Sequence, residues 1–121
     1  MKPHWQHVII TPEHSLRQTM EVIDRGALQI ALVINDKQCL VGVVTDGDIR
    51  RALIRGASLD TLVGDIMNKR PKVATLQDSK ARMIALMEGH HLYQLPVVDD
   101  DGHIVRLESL QGLYKQPSFP N

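Results

Sequence analysis

Cysteine is almost missing from this chain. Cys39 stands alone among 121 residues, so no disulfide can close within the chain. An unpaired thiol of this kind fits a reducing cytoplasm. Aromatic residues are nearly as scarce: Trp5, Tyr93, Tyr114 and Phe119 are all there are. The core must therefore be aliphatic. Neither sign of charge is in excess, with 14 Lys plus Arg against 14 Asp plus Glu. That balance offers no basic face for nucleic acid or for an acidic membrane surface. The longest apolar run, Ile30 to Ile34, is far too short to span a bilayer. The segment Met1 to His7 lacks the apolar stretch of a signal peptide. Hydrophobic residues still make up 43% of the chain, enough for a real core. One domain, or one tightly paired double module, is the expectation. No nucleophile–base pair, phosphate-binding Walker loop or zinc spacing occurs, so the chain reads as a non-enzyme without a catalytic cofactor.

What is present centres on Leu40 to Leu53. An apolar β-like run ends in Thr45-Asp46-Gly47-Asp48, and an amphipathic helical pattern begins at once with Ile49, Arg50 and Arg51. A hydroxyl, two carboxylates, a glycine and two arginines thus gather at a helix N-terminus. Free N–H groups and the helix dipole there favour an anion, typically phosphate. A carboxylate beside such a site suits ribose hydroxyls. Two other readings of the same residues stay open. Thr45 and Asp48 can simply cap the helix, and Asp46 with Asp48 has the spacing of some Mg²⁺ sites.

The chain also lies over itself when shifted by 64 positions without a gap. Thr11 meets Thr75, Ser15 meets Ser79, Leu28 meets Leu92, Val33 meets Val97, Asp36 meets Asp100 and Val41 meets Val105. The apolar periods agree as well. Each copy reads as strand, helix, strand, turn, strand, helix. Copy one places strands at Val8–Ile10, Ile30–Ile34 and Leu40–Val44, with helices after Ser15 and after Thr45. Gly26 and Gly56 are expected to stop those helices. Copy two places strands at Lys72–Leu76, Leu95–Val98 and Ile104–Leu107, a helix capped by Asp78 or Ser79, and a short helix from Leu110. The expected division is 6–57, a linker 58–71, 72–115, and a second linker starting at 116–121. A unit this small cannot bury both faces of its sheet, so an α+β (α/β) pair packed sheet to sheet is the predicted architecture.

The doubled unit, with Gly42-Val43-Val44-Thr45-Asp46-Gly47-Asp48-Ile49 leaving its third strand, resembles the CBS domain. Two in tandem resemble a Bateman module with pseudo-two-fold symmetry. Asp65-Ile66-Met67 and Leu95-Pro96-Val97-Val98-Asp99 carry the likeness further. Leu28 to Val33, Val44 to Arg51 and Asp65 to Asn68 look like the CBS pairs that precede sugar-phosphate nucleotidyltransferase domains. The resemblance implies a regulatory region, with a nucleotide bound between the copies and a C-terminal catalytic domain expected after Gln116 to Asn121. It implies Thr45 at a phosphate and Asp48 at the ribose hydroxyls. Gln29, Ile30 and Ala31 would line the base pocket, Ile10 and Thr11 would close it, and Asp46, Gly47, Arg50 and Arg51 would complete the ligand set. The regulatory ligand expected is AMP or a related nucleotide.

Copy two departs from that pattern. Arg106, Glu108, Leu110 and Gly112 stand where copy one has Gly42, Val44, Asp46 and Asp48, and only Ser109 keeps the hydroxyl. The ribose carboxylate is missing, and Glu108 would repel a phosphate if it pointed inward. The alternative function is a structural dimerisation module whose clefts bind nothing. A homodimer is expected either way, on apolar positions left over at Met83, Met87, Leu53 and Ile54. His4, His7, His14, His90, His91 and His103 are scattered and read as surface groups. Asp99-Asp100-Asp101-Gly102 reads as a solvated hairpin turn, Cys39 as inert, and Met20, Met67, Met83 and Met87 as core.

Overall fold

Residues 4–116 are described by the structure, a computed structural model. Their backbone divides into two compact units, meeting at Pro71 and Lys72. Unit one begins with a 3₁₀ turn, His4–Val8, and continues with β1 (Ile9–Ile10), α1 (Leu16–Gly26), β2 (Ile30–Ile34), β3 (Leu40–Thr45) and α2 (Asp46–Ile54). Unit two holds β4 (Ala74–Thr75), α3 (Lys80–Gly89), β5 (Gln94–Val98), β6 (Ile104–Ser109) and α4 (Leu110–Lys115). Each unit folds into a three-stranded mixed sheet, in orders β1-β2-β3 and β4-β5-β6. The first strand of each is shorter than its sequence suggests. Val8 lies in the 3₁₀ turn, and Lys72 and Val73 stand outside β4.

The 64-residue repeat extends to individual hydrogen bonds. Ser15 Oγ accepts the Gln18 N–H at 3.1 Å, and Ser79 Oγ accepts the Arg82 N–H at 3.1 Å. Ser79 is thus the cap of α3, while Asp78 Oδ2 takes the Thr75 N–H at 2.8 Å. In the first hairpin Asn35 Oδ1 accepts the N–H groups of Lys37 and Cys39; in the second Asp99 Oδ1 accepts those of Asp101 and His103. Gln38 and Gly102 occupy the same left-handed position in the two turns, at φ 66° and 87°. The cores correspond too. Ile10, Ile23, Ala31, Val33 and Ile49 in unit one match Ala74, Met87, Leu95, Val97 and Leu113 in unit two, all buried. Volume moves between strands: Ile10 and Ala31 become Ala74 and Leu95. Close packing demands such exchanges when a core is duplicated and then drifts.

The residues after α2 do not run free. Leu16 N–H donates to Thr61 O, Arg17 N–H to Leu59 O, Val63 N–H to His14 O and Gly64 N–H to Pro12 O. Asn68 pairs with Val43 in both directions, at 2.9 and 3.1 Å. Val63 is fully buried beside Leu16 in the unit-one core. This segment, expected to be a linker, therefore completes unit one as a strap. In unit two Lys80 stands at the position of Leu16.

One helix end differs from expectation. Gly26 is the last residue of α1, and the left-handed cap is Ala27, at φ 56°. Gly26 is small for another reason: a Cβ there would collide with Cγ1 of buried Val8. Among the methionines, Met83 and Met87 are core, as expected, but Met20 is 40% exposed.

Candidate functional site

β3 delivers Thr45 to the N-terminus of α2, and the register sets it opposite Ile30 at the start of β2. Thr45 is extended, at φ −113° and ψ 168°, as an N-cap must be. Its Oγ1 accepts the Asp48 N–H at 3.3 Å, and Asp48 Oδ2 accepts the Thr45 N–H at 2.9 Å. This is a reciprocal capping box. Asp48 Oδ1 also accepts from Arg51 Nη2 at 2.7 Å. Asp46 and Asp48 both lie in the first turn, where the helix dipole favours negative charge. The capping reading of Thr45 and Asp48 is thus realised. It does not exhaust either group. The Thr45 hydroxyl proton has no acceptor among the described residues, and a carboxylate has more acceptor directions than the two used here.

The expected ligand residues fall on two clefts of unit one. Gln29 and Asp46 line an open cleft of about 600 Å³ together with Met20, Glu21 and Asp24. Its charged lining is wholly acidic. Asp48 and Arg51 line a second cleft of about 370 Å³ with Arg55, Asp65 and Ile66. Two carboxylates two residues apart therefore serve different hollows, which argues against their sharing a Mg²⁺. Arg50 is exposed and lines neither. Ile10, Ile30 and Ala31 are buried at 1%, 6% and 0% exposure, so their side chains belong to the core. Ile10 pairs with Val33, three residues along β2 from Ile30. At a strand rise of about 3.3 Å per residue, Ile10 and Thr11 stand about 10 Å along the sheet from the Thr45 end. Within unit one, these two do not converge with Thr45 and Asp48.

Gly42 has a structural duty of its own. A Cβ there would stand 2.6 Å from Met67 Sδ and 3.0 Å from the Asn68 carbonyl oxygen. The glycine admits the strap against β3. The matching position of β6 holds Arg106. Arg106 Nε lies 2.6 Å from Glu108 Oε1. Glu108 is therefore neutralised by its neighbour rather than facing a ligand alone. Ser109 Oγ caps α4 by accepting the Gly112 N–H at 2.9 Å, the counterpart of Thr45 and Asp48.

Sequence reasoning missed the partnership of Asp48 with Arg51, though their i, i+3 spacing signals it. It also missed Arg55, four residues after Arg51 at the end of α2, and Asp65, which comes into the cleft only because the strap folds back. At the second hairpin, ligand atoms of Asp99, Asp101 and His103 lie within 4.8 Å of one another. The N–H groups of His103 and Asp101 hold the Asp99 carboxyl below the usual carboxylate range. Turn hydrogen bonding is enough to explain that geometry. No helix among the described residues is long and apolar enough to cross a membrane.

A pair of strand-helix-strand-strand-helix units, each ending its third strand in a hydroxyl-capped helix, defines a class of two-unit α+β module. The match is direct: the CBS domain family covers residues 3–55 and again 63–107, and the chain belongs to that family. A probable arabinose 5-phosphate isomerase of Haemophilus influenzae is 32% identical over 100 residues, covering 81% of this chain and 29% of that protein. An inosine-5'-monophosphate dehydrogenase of Nitrosopumilus maritimus is 26% identical over 93% of this chain and 22% of its own length. The chain spans about a third or less of these curated relatives. Among solved structures, CBSX2 of Arabidopsis thaliana in complex with AMP has a TM-score of 0.79 at 25% identity, over 95% of this chain and 90% of that one.

Proposed function

We propose that this CBS pair is a regulatory sensor of an adenine nucleotide close to AMP in size. The observation that carries the reading is the intact Thr45–Asp48 set at the N-terminus of α2. Thr45 keeps a donor for a phosphate oxygen, and Asp48 presents to ribose hydroxyls the carboxylate oxygen that Arg51 holds in their absence. The AMP bound by CBSX2 supports the choice of ligand. The nucleotide biases an attached domain by binding its two states unequally. The module itself supplies binding rather than catalysis, in the cytoplasm. Its attached domain acts on a sugar phosphate. The motif resemblance favours a nucleotidyltransferase, whereas the Haemophilus influenzae relative favours an isomerase.

Asp48→Ala tests the site. It removes a charged acceptor, which lowers AMP affinity by about 1.5–3 kcal/mol. Calorimetry that shows unchanged affinity removes Asp48 from the site. A second reading, a structural module that binds nothing, draws on the capping box and ion pair that already engage both residues. The same titration of the unsubstituted chain decides between them. Homodimerisation is part of both readings. Of the four positions expected to serve it, Ile54 is exposed at 77%, while Leu53 packs against the unit-one core and Met83 and Met87 belong to the unit-two core.

A further inference from the structure

Arg51 holds the oxygen that a ribose would use. Its Nη2 lies 2.7 Å from Asp48 Oδ1, while Oδ2 keeps the Thr45 N–H. The guanidinium folds back over the first turn of α2. A Cβ on Gly47 would stand 3.3 Å from Arg51 Nη1, so the glycine leaves room for this posture. The ion pair is open to water, with side chains 58% and 25% exposed for Arg51 and Asp48. Pairs of this kind are weak and readily exchanged. Both partners line the cleft of about 370 Å³, within the range of small-molecule pockets. Arg55 lines it as well.

We infer that Arg51 makes this site select a 5′-phosphorylated nucleoside over the bare nucleoside, through an exchange of partners at Asp48. The inference rests on the nucleotide reading above. A ribose diol that donates to Asp48 takes the oxygen that Arg51 held. The freed guanidinium remains on the same cleft wall and takes the phosphate, for which its planar fork is suited. A nucleotide thus replaces one ion pair by another. A nucleoside breaks the pair and returns nothing to Arg51. Arg50 has no part in the exchange, since it lines neither cleft.

The experiment is calorimetry of the whole chain with AMP and with adenosine, for the unsubstituted protein and for Arg51→Gln. The substitution should weaken AMP about tenfold, the loss of a charge-assisted contact. It should tighten adenosine by up to about fivefold, because Asp48 no longer has to be vacated. The preference for AMP over adenosine then falls more than tenfold. An unchanged preference, with both ligands bound as before or both weakened alike, overturns the exchange and leaves the nucleotide reading standing. Failure of the unsubstituted chain to bind AMP at all overturns both.

Discussion

Gly26→Ala should destabilise the protein even though it places a better helix former inside α1. The helix-propensity gain is about 1 kcal/mol. Against it stands a new Cβ driven into Cγ1 of Val8, which is 0% exposed and branched at its own Cβ. Overpacking of that kind costs about 1–3 kcal/mol. The net loss is up to about 2 kcal/mol, read from urea unfolding followed by circular dichroism. A double-mutant cycle isolates the cause. Val8→Ala alone loses about 2 kcal/mol of burial. In that background Gly26→Ala meets no methyl, and should be neutral or stabilising by up to about 1 kcal/mol. The coupling between the two changes is therefore about 1–3 kcal/mol. Its complement is Ala27→Gly, which relieves the left-handed strain at φ 56° and nets about 0.5 kcal/mol of added stability after the greater freedom of the unfolded glycine. If the two changes at Val8 and Gly26 instead add within about 0.5 kcal/mol, the steric account is wrong. Gly26 would then matter as a helix stop.

Two further outcomes are expected. Nucleotide titration of the intact chain should saturate at one molecule per chain, since Gly112 cannot hold ribose hydroxyls and Arg106 is tied to Glu108; two equal sites would mean that other residues define the pocket. Stability should fall in acid through Asp78 and Asp99, whose carboxyls are held low first by the N–H groups of Thr75 and His103 respectively. A lowered folded-state value gives stabilisation that is complete above the unfolded value of 3.8 and is lost as pH drops through the folded one. The thermal midpoint should therefore hold from pH 7 to about pH 5 and fall below about pH 4. That acid fall should be shallower in Asp78→Asn/Asp99→Asn, and an identical slope in both proteins would exclude these two groups as its source.

Much of this protein is legible in one dimension because its determinants are local. Serine and threonine caps, apolar runs of five residues and turn residues such as Asn35 and Asp99 act within a few positions of themselves. Their recurrence at a spacing of 64 follows from duplication of a unit whose side-chain hydrogen bonds are mostly short-range. The sequence also placed Thr45 and Asp48 at the start of α2, since a strand running into a capped amphipathic pattern leaves little choice. The tertiary structure decided the rest. Only the fold-back of residues 57–68 reveals that Gly42 exists for Met67 and Asn68, and that Asp65 joins Asp48 at one cleft. Only the parallel register of β1 on β2 separates Ile10 and Thr11 from Thr45, because pairing across strands carries no trace in linear spacing. Likewise Ala27 takes the cap expected of Gly26. A glycine in sequence signals either conformational freedom or lack of room, and the buried methyl of Val8 decides which.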